Sequence, residues 1–477
     1  LRIKVTVPKG KTLYEVLREK GFMRSAYCGG RGICGKCIVK VKGKEELSCL
    51  LFGPFEDEVE LPEETLISEG EKLSDIPTEG KDGFGVAVDL GTTGVEAALF
   101  DLSTGKFIKG FKTLNFQSAF GADVVTRVEL ARENYEKERE LLLNTISFLL
   151  KELEAPVKEA VIVSNSVIHH FLLGLPVSGF ERFPFKLQVE DEVYTTGKEL
   201  GIEGFKETVF YVPPPLKGFI GSDFLSNLLV LTEERKDFAV ADLGTNAEMG
   251  IWKRGSGVAA SVPAGPAFEG VGLFSGMRAV EGAIYKVFFD GRDFRFLTIG
   301  RKEPLGICAS GYFDLIYLLK SFRVVTKEGT LKKEGAPPLI AQRIRKINGE
   351  KAFILYESKE TLIALTQSDI RKFLLAKGAV YGALKTLSEE AGIPEELLFS
   401  GAFGSHIDRR SVKGLKLIPE NFPEPVAAGN LALKGASLLL GRNEKREKIK
   451  ELKRSVTPVE LATNRTFEKA YIEGMEL

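Results

Sequence analysis

The chain has 477 residues, its 66 lysines and arginines are matched by 66 aspartates and glutamates, and 44% of it is apolar. Balanced charge without a long single-sign block argues against nucleic acid or an anionic membrane surface as a partner. LRIKVTVPKG lacks a signal-peptide apolar core and no run of eighteen apolar residues occurs, so a cytoplasmic protein of two to four domains is expected. Abundant Lys and Glu beside only four Gln give the composition a thermophile lean.

In chain order, RIKVTV alternates as a strand, TLYEVLREKG has the spacing of a short helix, and CIVKVKG returns as a strand. Between them YCGGRGICGKC, residues 27–37, sets Cys28, Cys34 and Cys37 among Gly29, Gly30, Gly32 and Gly35, and Cys49 brings four cysteines within 22 residues. A reducing compartment disfavours a disulfide framework, so the four read as a metal site. Structural zinc favours two short knuckles, whereas C-x5-C-x2-C plus one distant cysteine is close to the plant-type ferredoxin run. The glycines allow a loop to wrap a cluster and aim amides at its sulfurs. Strand, helix, cysteine loop and strand resemble the beta-grasp fold of [2Fe-2S] ferredoxins, an α+β domain over 1–60.

Residues 61–82 are polar, acidic and aperiodic, and read as a linker. A new core begins with GVAVDLGTTGVEAALFD, residues 85–101, read as strand, tight turn and strand; FAVADLGTNAEMGI repeats the unit at 238–251. Two copies 153 residues apart predict two related lobes facing a cleft, lobe I over 83–225 and lobe II over 226–445, with 446–477 as a C-terminal segment. Gly91 and Gly244 would let amides approach an anion, with Thr92, Thr93, Thr245 and Asn246 as further donors. Asp89 and Asp242 end their strands beside these turns, where a carboxylate can hold Mg2+ through water or orient an attacking water, so ATP with magnesium is the expected ligand.

Helical spacing over 123–154 predicts a long packed helix, with Asp123 and Arg127 near its start facing the cleft. Helices are also expected at 161–174 and 426–440, the second rich in Ala and Gly. His169 and His170 read as packed or capping residues, and Cys308 as a small buried hydrophobe. LLFSGAFGSHID, 397–408, reads as a strand entering a small-residue turn that could admit adenine against backbone at Gly401 and Gly404, and His406 as a turn residue. The basic start of the last segment reads as a solvated helix face.

The order DLGTT, DLGTN, SGAFG and small-residue helix resembles the ASKHA superfamily of two-lobed α/β, actin-like and ribonuclease H-like ATPases over roughly residues 84–440. More narrowly, VPAGPAFEGVGLFSGMRAVEGAI, GICASGYFDLIYLL and FSGAFGSHID resemble the reductive activators of corrinoid proteins, which join a [2Fe-2S] ferredoxin domain to an ASKHA ATPase. That resemblance implies an ATPase coupled to electron transfer that reduces Co(II) to Co(I). It implies Cys28, Cys34, Cys37 and Cys49 as cluster ligands, and lobe II with an adenosine motif and a return helix. The implied partners are a corrinoid protein (a methyltransferase, methionine synthase or corrinoid iron-sulfur protein) and an upstream low-potential electron donor, with a homodimer possible. Two features depart from the pattern: the 22-residue linker leaves no room for an extra domain, and Ala402 replaces a glycine. The alternatives are an activator of a 2-hydroxyacyl-CoA dehydratase, a small-molecule kinase with a regulatory cluster, and a chaperone-like binding module.

Overall fold

Alternating apolar residues in RIKVTV and the mixed run FEDEVE at 55–60 drive the first sheet. In the computed structural model, which describes residues 2–20, 22, 37–61, 67–121, 123–359, 361–401 and 407–477, β1 (Arg2–Val7) is followed by α1 (Leu13–Glu19), β2 (Ile38–Val41), β3 (Lys44–Leu47) and β4 (Phe55–Glu60). The strand order is β1-β4-β2-β3, and Val5, Val7, Leu13, Leu17, Val39 and Val59 fill the core beneath. That core continues into Phe116 and Leu141, and the Phe116 ring lies 6.0 Å from Phe22 and 5.8 Å from Phe148.

Among the described residues the next sheet has seven strands. It comprises β5 (Ile67–Glu69), β6 (Phe84–Leu90), β7 (Gly94–Asp101), β8 (Phe107–Leu114), β9 (Val157–Val163), β10 (Val193–Thr196) and β11 (Val209–Val212), ordered β10-β11-β9-β6-β7-β8-β5. Three antiparallel strands form a meander from β6 to β8, while β9 lies parallel to β6 and β11 parallel to β9. Its helices are α2 (Val124–Glu152), α3 (Ser166–Leu173), α4 (Gly197–Leu200) and α5 (Ser222–Leu231). Asp123 caps α2, accepting from the Thr126 amide at 2.8 Å.

The second compact unit repeats the scheme. A meander of β12 (Asp237–Leu243), β13 (Asn246–Lys253) and β14 (Ser256–Pro263) continues sideways into the parallel strands Leu397–Ser400 and Pro425–Ala427. Its core is aromatic, with Phe268, Phe313 and Phe373 in mutual ring contact at 4.6–6.0 Å.

Several expectations need correction. The 161–174 segment is not one helix: its β-branched start completes β9, and Asn165 then caps α3 through the Val167 and Ile168 amides. In 426–440 only Leu431–Leu438 is helical, because Pro425–Ala427 is drawn into the sheet and Gly429 has φ +70°. The stretch read as a linker contributes β5, paired with β8, and buries Leu73 and Ile76. Contacts within the chain divide it into Leu1–Val230 with Ala432–Lys453, and Leu231–Leu431 with Arg454–Leu477, rather than at 225/226 and 445/446. The physical reason is local. Gly435 packs so closely on α5 that a β-carbon would stand 2.3 Å from the Ser226 carbonyl oxygen, and Arg446 pairs with Glu159 while lying 4.4 Å above the Tyr211 ring. The helix Asn443–Ser455 is therefore no purely solvated face, since Arg446, Ile449 and Leu452 are buried.

His169 and His170 are fully buried, as expected of packed residues, and His170 bridges the Ser166 carbonyl and the Gln188 amide. Cys308 is buried beside the Ile284 carbonyl. Among the described residues no helix is long and apolar enough to cross a membrane.

Glu138 on α2 is fully buried and neither carboxylate oxygen has a hydrogen-bond partner among the described residues, so burial pushes its pKa up to about 8 against a smaller pull from Arg127. The folded state then holds a proton that the unfolded chain releases above its ordinary value of 4.5. Stability contributed by this site is full below pH 4.5 and is lost as pH rises through about 8. Glu138→Gln should flatten the decline between those values in urea unfolding followed across pH; an unchanged slope would reject the assignment.

Candidate functional site

Cys37 and Cys49 are brought together by backbone. Ser48 donates both its amide (2.9 Å) and its hydroxyl (2.8 Å) to the Cys37 carbonyl, pinning the start of β2 to the 3-10 turn Ser48–Leu50 that carries Cys49. The two sulfurs are buried, lie 3.2 Å apart and pack against Tyr14. That separation exceeds an S–S bond of about 2.05 Å and approaches the ~3.7 Å edge of a tetrahedron with metal–sulfur bonds of ~2.3 Å. Two converging buried thiols in apolar surroundings fit one half of a four-cysteine iron-sulfur site. Cys28, Cys34 and the four loop glycines lie outside the described residues.

The first turn joins β6 to β7. Asp89 sits one residue before the end of β6, in register with Glu96 on β7 and Val163 on β9. Gly91 is not left-handed; its requirement is space, since a β-carbon would stand 2.6 Å from the Gly94 carbonyl oxygen. Thr92 and Thr93 are buried. Asn115 donates its side chain to the Gly91 carbonyl (2.9 Å) and its backbone to Thr93 (3.0 Å), and Asn165 donates to the Thr92 hydroxyl (3.0 Å). Because that hydroxyl accepts from Asn165, its proton is left to donate elsewhere. Arg127, wholly buried, donates to the Thr92 carbonyl at 2.5 Å and to the Gln117 side chain at 3.1 Å.

The second turn follows β12. Asp242 stands in register with Glu248 on β13 and with Ser400 on the neighbouring parallel strand. Both Thr245 donors, amide at 2.8 Å and hydroxyl at 2.7 Å, go to one oxygen of Glu269, while Asn246 donates to the Ser261 hydroxyl at 2.7 Å. Gly244 has room for a β-carbon, its nearest neighbours being 3.5 Å and 3.7 Å away. Gly401 has φ +83° and comes so near Asp242 that a β-carbon would stand 3.0 Å from a carboxylate oxygen. Gly404, Ala402 and His406 lie outside the described residues.

In each unit, then, a strand-end aspartate, a cross-strand glutamate and a glycine–threonine turn share one edge. Glu96, Glu248, Asn115 and Asn165 had no role in the sequence reading of this edge, whereas Glu269 lies in the glycine-rich stretch VPAGPAFEGVGLFSGMRAVEGAI that carried the family resemblance. The signal for the two glutamates was present in the hairpin alternation: each lies opposite its aspartate, on the same face of the sheet. No such signal marks Asn115 or Asn165, which arrive from separate segments.

An iron-sulfur module joined to a duplicated, meander-based α/β ATPase fold defines the class of the protein: a [2Fe-2S] domain fused to an ASKHA domain. Family models agree along the chain, matching the 2Fe-2S iron-sulfur cluster binding domain at 2–67, the RACo middle region at 84–235, and the C-terminal domain of RACo, the ASKHA domain, at 237–477. The chain belongs to the RACo family. It is 33% identical over 433 residues to the corrinoid activation enzyme RamQ of Eubacterium limosum, covering 85% of this chain and 73% of that one. It is 27% identical to the [Co(II) methylated amine-specific corrinoid protein] reductase of Methanosarcina barkeri, covering 82% and 76%. A solved structure of a reductive activator for corrinoid, iron-sulfur protein superposes with a TM-score of 0.75 at 24% identity, over 99% of this chain and 96% of that one, which establishes the common fold.

The steric environments separate the glycines. Gly91→Ala should destabilise the protein by about 1–3 kcal/mol through overpacking, and Gly401→Ala by a similar amount through its left-handed backbone, while Gly244→Ala should unfold like the parent. Denaturant melts of the three variants check this; equal midpoints would reject the assigned roles.

Proposed function

We propose that the protein is an ATP-dependent reductive activator of a corrinoid protein, in which one electron converts Co(II) of the substrate protein to Co(I). The observation that carries this reading is the union in one chain of two buried, converging cysteine sulfurs in a 2Fe-2S domain with a duplicated strand-end aspartate and D-L-G-T turn. The names of the two curated relatives, an activation enzyme and a Co(II) corrinoid protein reductase, support the choice of substrate.

On this reading Cys28, Cys34, Cys37 and Cys49 hold a [2Fe-2S] cluster, which when bound supplies a one-electron couple near about −400 mV. Burial of Cys37 and Cys49 keeps water from their sulfurs, and the Ser48 clamp fixes their spacing. A cobalt couple of lower potential makes the transfer uphill by about 1.4 kcal/mol for each ~59 mV. Binding energy must make up the difference, through a nucleotide state with differential affinity for the two partner conformations.

The nucleotide is magnesium-ATP. Each turn offers donors to phosphate, Gly91, Thr92 and Thr93 in one unit and Gly244, Thr245 and Asn246 in the other; Asp89 and Asp242 would hold hydrated magnesium or orient water, and Gly401 with Gly404 would admit adenine. Arg127, Asn115 and Asn165 keep the first turn in shape before the anion arrives, so little reorganisation is needed on binding. A reducing cytoplasm would keep the thiols available as ligands.

The test is an anaerobic reconstitution with a low-potential donor, a Co(II) corrinoid protein and magnesium-ATP, followed by Co(I) absorbance. Co(I) should form rapidly only with ATP, Cys49→Ser should abolish it, and Asp242→Asn should slow ATP hydrolysis about 10²-fold or more while leaving the cluster spectrum intact. ATP consumption without reduction of any corrinoid protein offered would reject the reading.

A further inference from the structure

The two D-L-G-T turns share a sequence but not an environment. At the first, the amides of Asn115 and Asn165 and the guanidinium of Arg127 donate to the turn. At the second, the Thr245 amide and hydroxyl both end on Glu269 Oε1, at 2.8 and 2.7 Å. Those are the donors a phosphoryl oxygen would use, and a carboxylate oxygen is the anion in the protein that most nearly imitates one.

Glu269 is placed there by its own loop. It ends the 3-10 turn Pro266–Glu269, whose flanking residues Gly265 and Gly270 have φ of +75° and +70°. The Gly265 amide donates to the Thr245 carbonyl at 2.9 Å, so the loop and the turn are held in register. Phe268 anchors the loop between the rings of Phe313 and Phe373, at 5.3 and 6.0 Å. The carboxylate itself is only partly buried, and a β-carbon at Gly244 would lie 3.7 Å from it. It therefore faces the part of the turn that glycine leaves open.

We propose that Glu269 is a resident competitor of the second turn: it holds the Thr245 donors in the nucleotide-free protein, is displaced by a phosphoryl oxygen, and so sets nucleotide affinity. The proposal rests on the nucleotide reading given above. Two anions cannot share one pair of donors at hydrogen-bond distance without repulsion, so the carboxylate leaves when phosphate enters. The rim glycines supply the backbone freedom for that exit, while Phe268 stays seated.

Calorimetric titration of the full-length, cluster-loaded protein with magnesium-ADP tests this in the parent, Glu269→Gln and Glu269→Ala. Gln keeps the shape and can still accept from Thr245, but without charge, so it should bind ADP about fivefold tighter, as expected when a charge-assisted competitor becomes a neutral one. Glu269→Ala should bind at least as tightly as Gln. Without nucleotide, amide hydrogen exchange at Thr245 should quicken in Glu269→Ala and slow again on adding ADP. A merely structural role would lower affinity, which makes a gain the informative result. Unchanged or weaker binding in both variants, with the parent binding normally, would overturn the proposal and leave the nucleotide reading in place. Binding by both variants but not by the parent would support it in its strongest form, and no binding by any of the three would bring down the nucleotide reading and the proposal together.

Discussion

Parallel strand pairing beside an antiparallel hairpin is the constraint on which the site depends. Asp89 is useful only because β6 pairs with β9 and β7 in a register that ends its side chain at the sheet edge, and Asp242 obeys the same rule through β12, β13 and Leu397–Ser400. A slip of one residue would turn either carboxylate to the opposite face. The apolar residues on either side of each aspartate, Val88 and Leu90 in one unit and Ala241 and Leu243 in the other, are buried and resist that slip. Packing energy thus fixes polar geometry.

The iron-sulfur module follows a related economy. Below about 70 residues a single hydrophobic core stabilises weakly, and this module shares its core with Phe116 and Leu141 of the following sheet and helix system. The same short segment that provides Phe116 provides Asn115 and Gln117, which bond to the first turn and to Arg127. Apolar seating of the module and polar support of the turn therefore come from consecutive residues, Asn115 as the N-cap of a 3-10 turn and Phe116 and Gln117 within it, and the Phe116 amide is itself fixed by Thr145 of α2.

Much of this was legible in the sequence because it is periodic or local. The alternation of RIKVTV, the helical spacing of 123–154 and the duplicated D-L-G-T units each describe one element and its immediate turn, and each lies where it was expected. The misreadings have a common cause. Residues 161–174 and 426–440 contain short apolar runs that fit a helix or a buried strand equally well, and only the neighbouring strands decide between them. The polar stretch after residue 60 gave no period, yet three residues suffice for an edge strand when β8 offers unpaired backbone.

By itself the sequence determined the iron-sulfur class of the first domain, through cysteine spacing, and the two-unit ATPase class, through an internal repeat. It determined the strand-end aspartates too, because a residue's place at the end of an apolar run is a local property. Tertiary structure alone decided which bonds shape the turns: Asn115, Arg127 and Asn165 reach Gly91 and Thr92 across 24, 35 and 73 residues, and Glu269 reaches Thr245 across 24. Hydrogen bonds between distant segments leave no period in a sequence, since their geometry exists only once the sheets have closed and the loops between them have been placed.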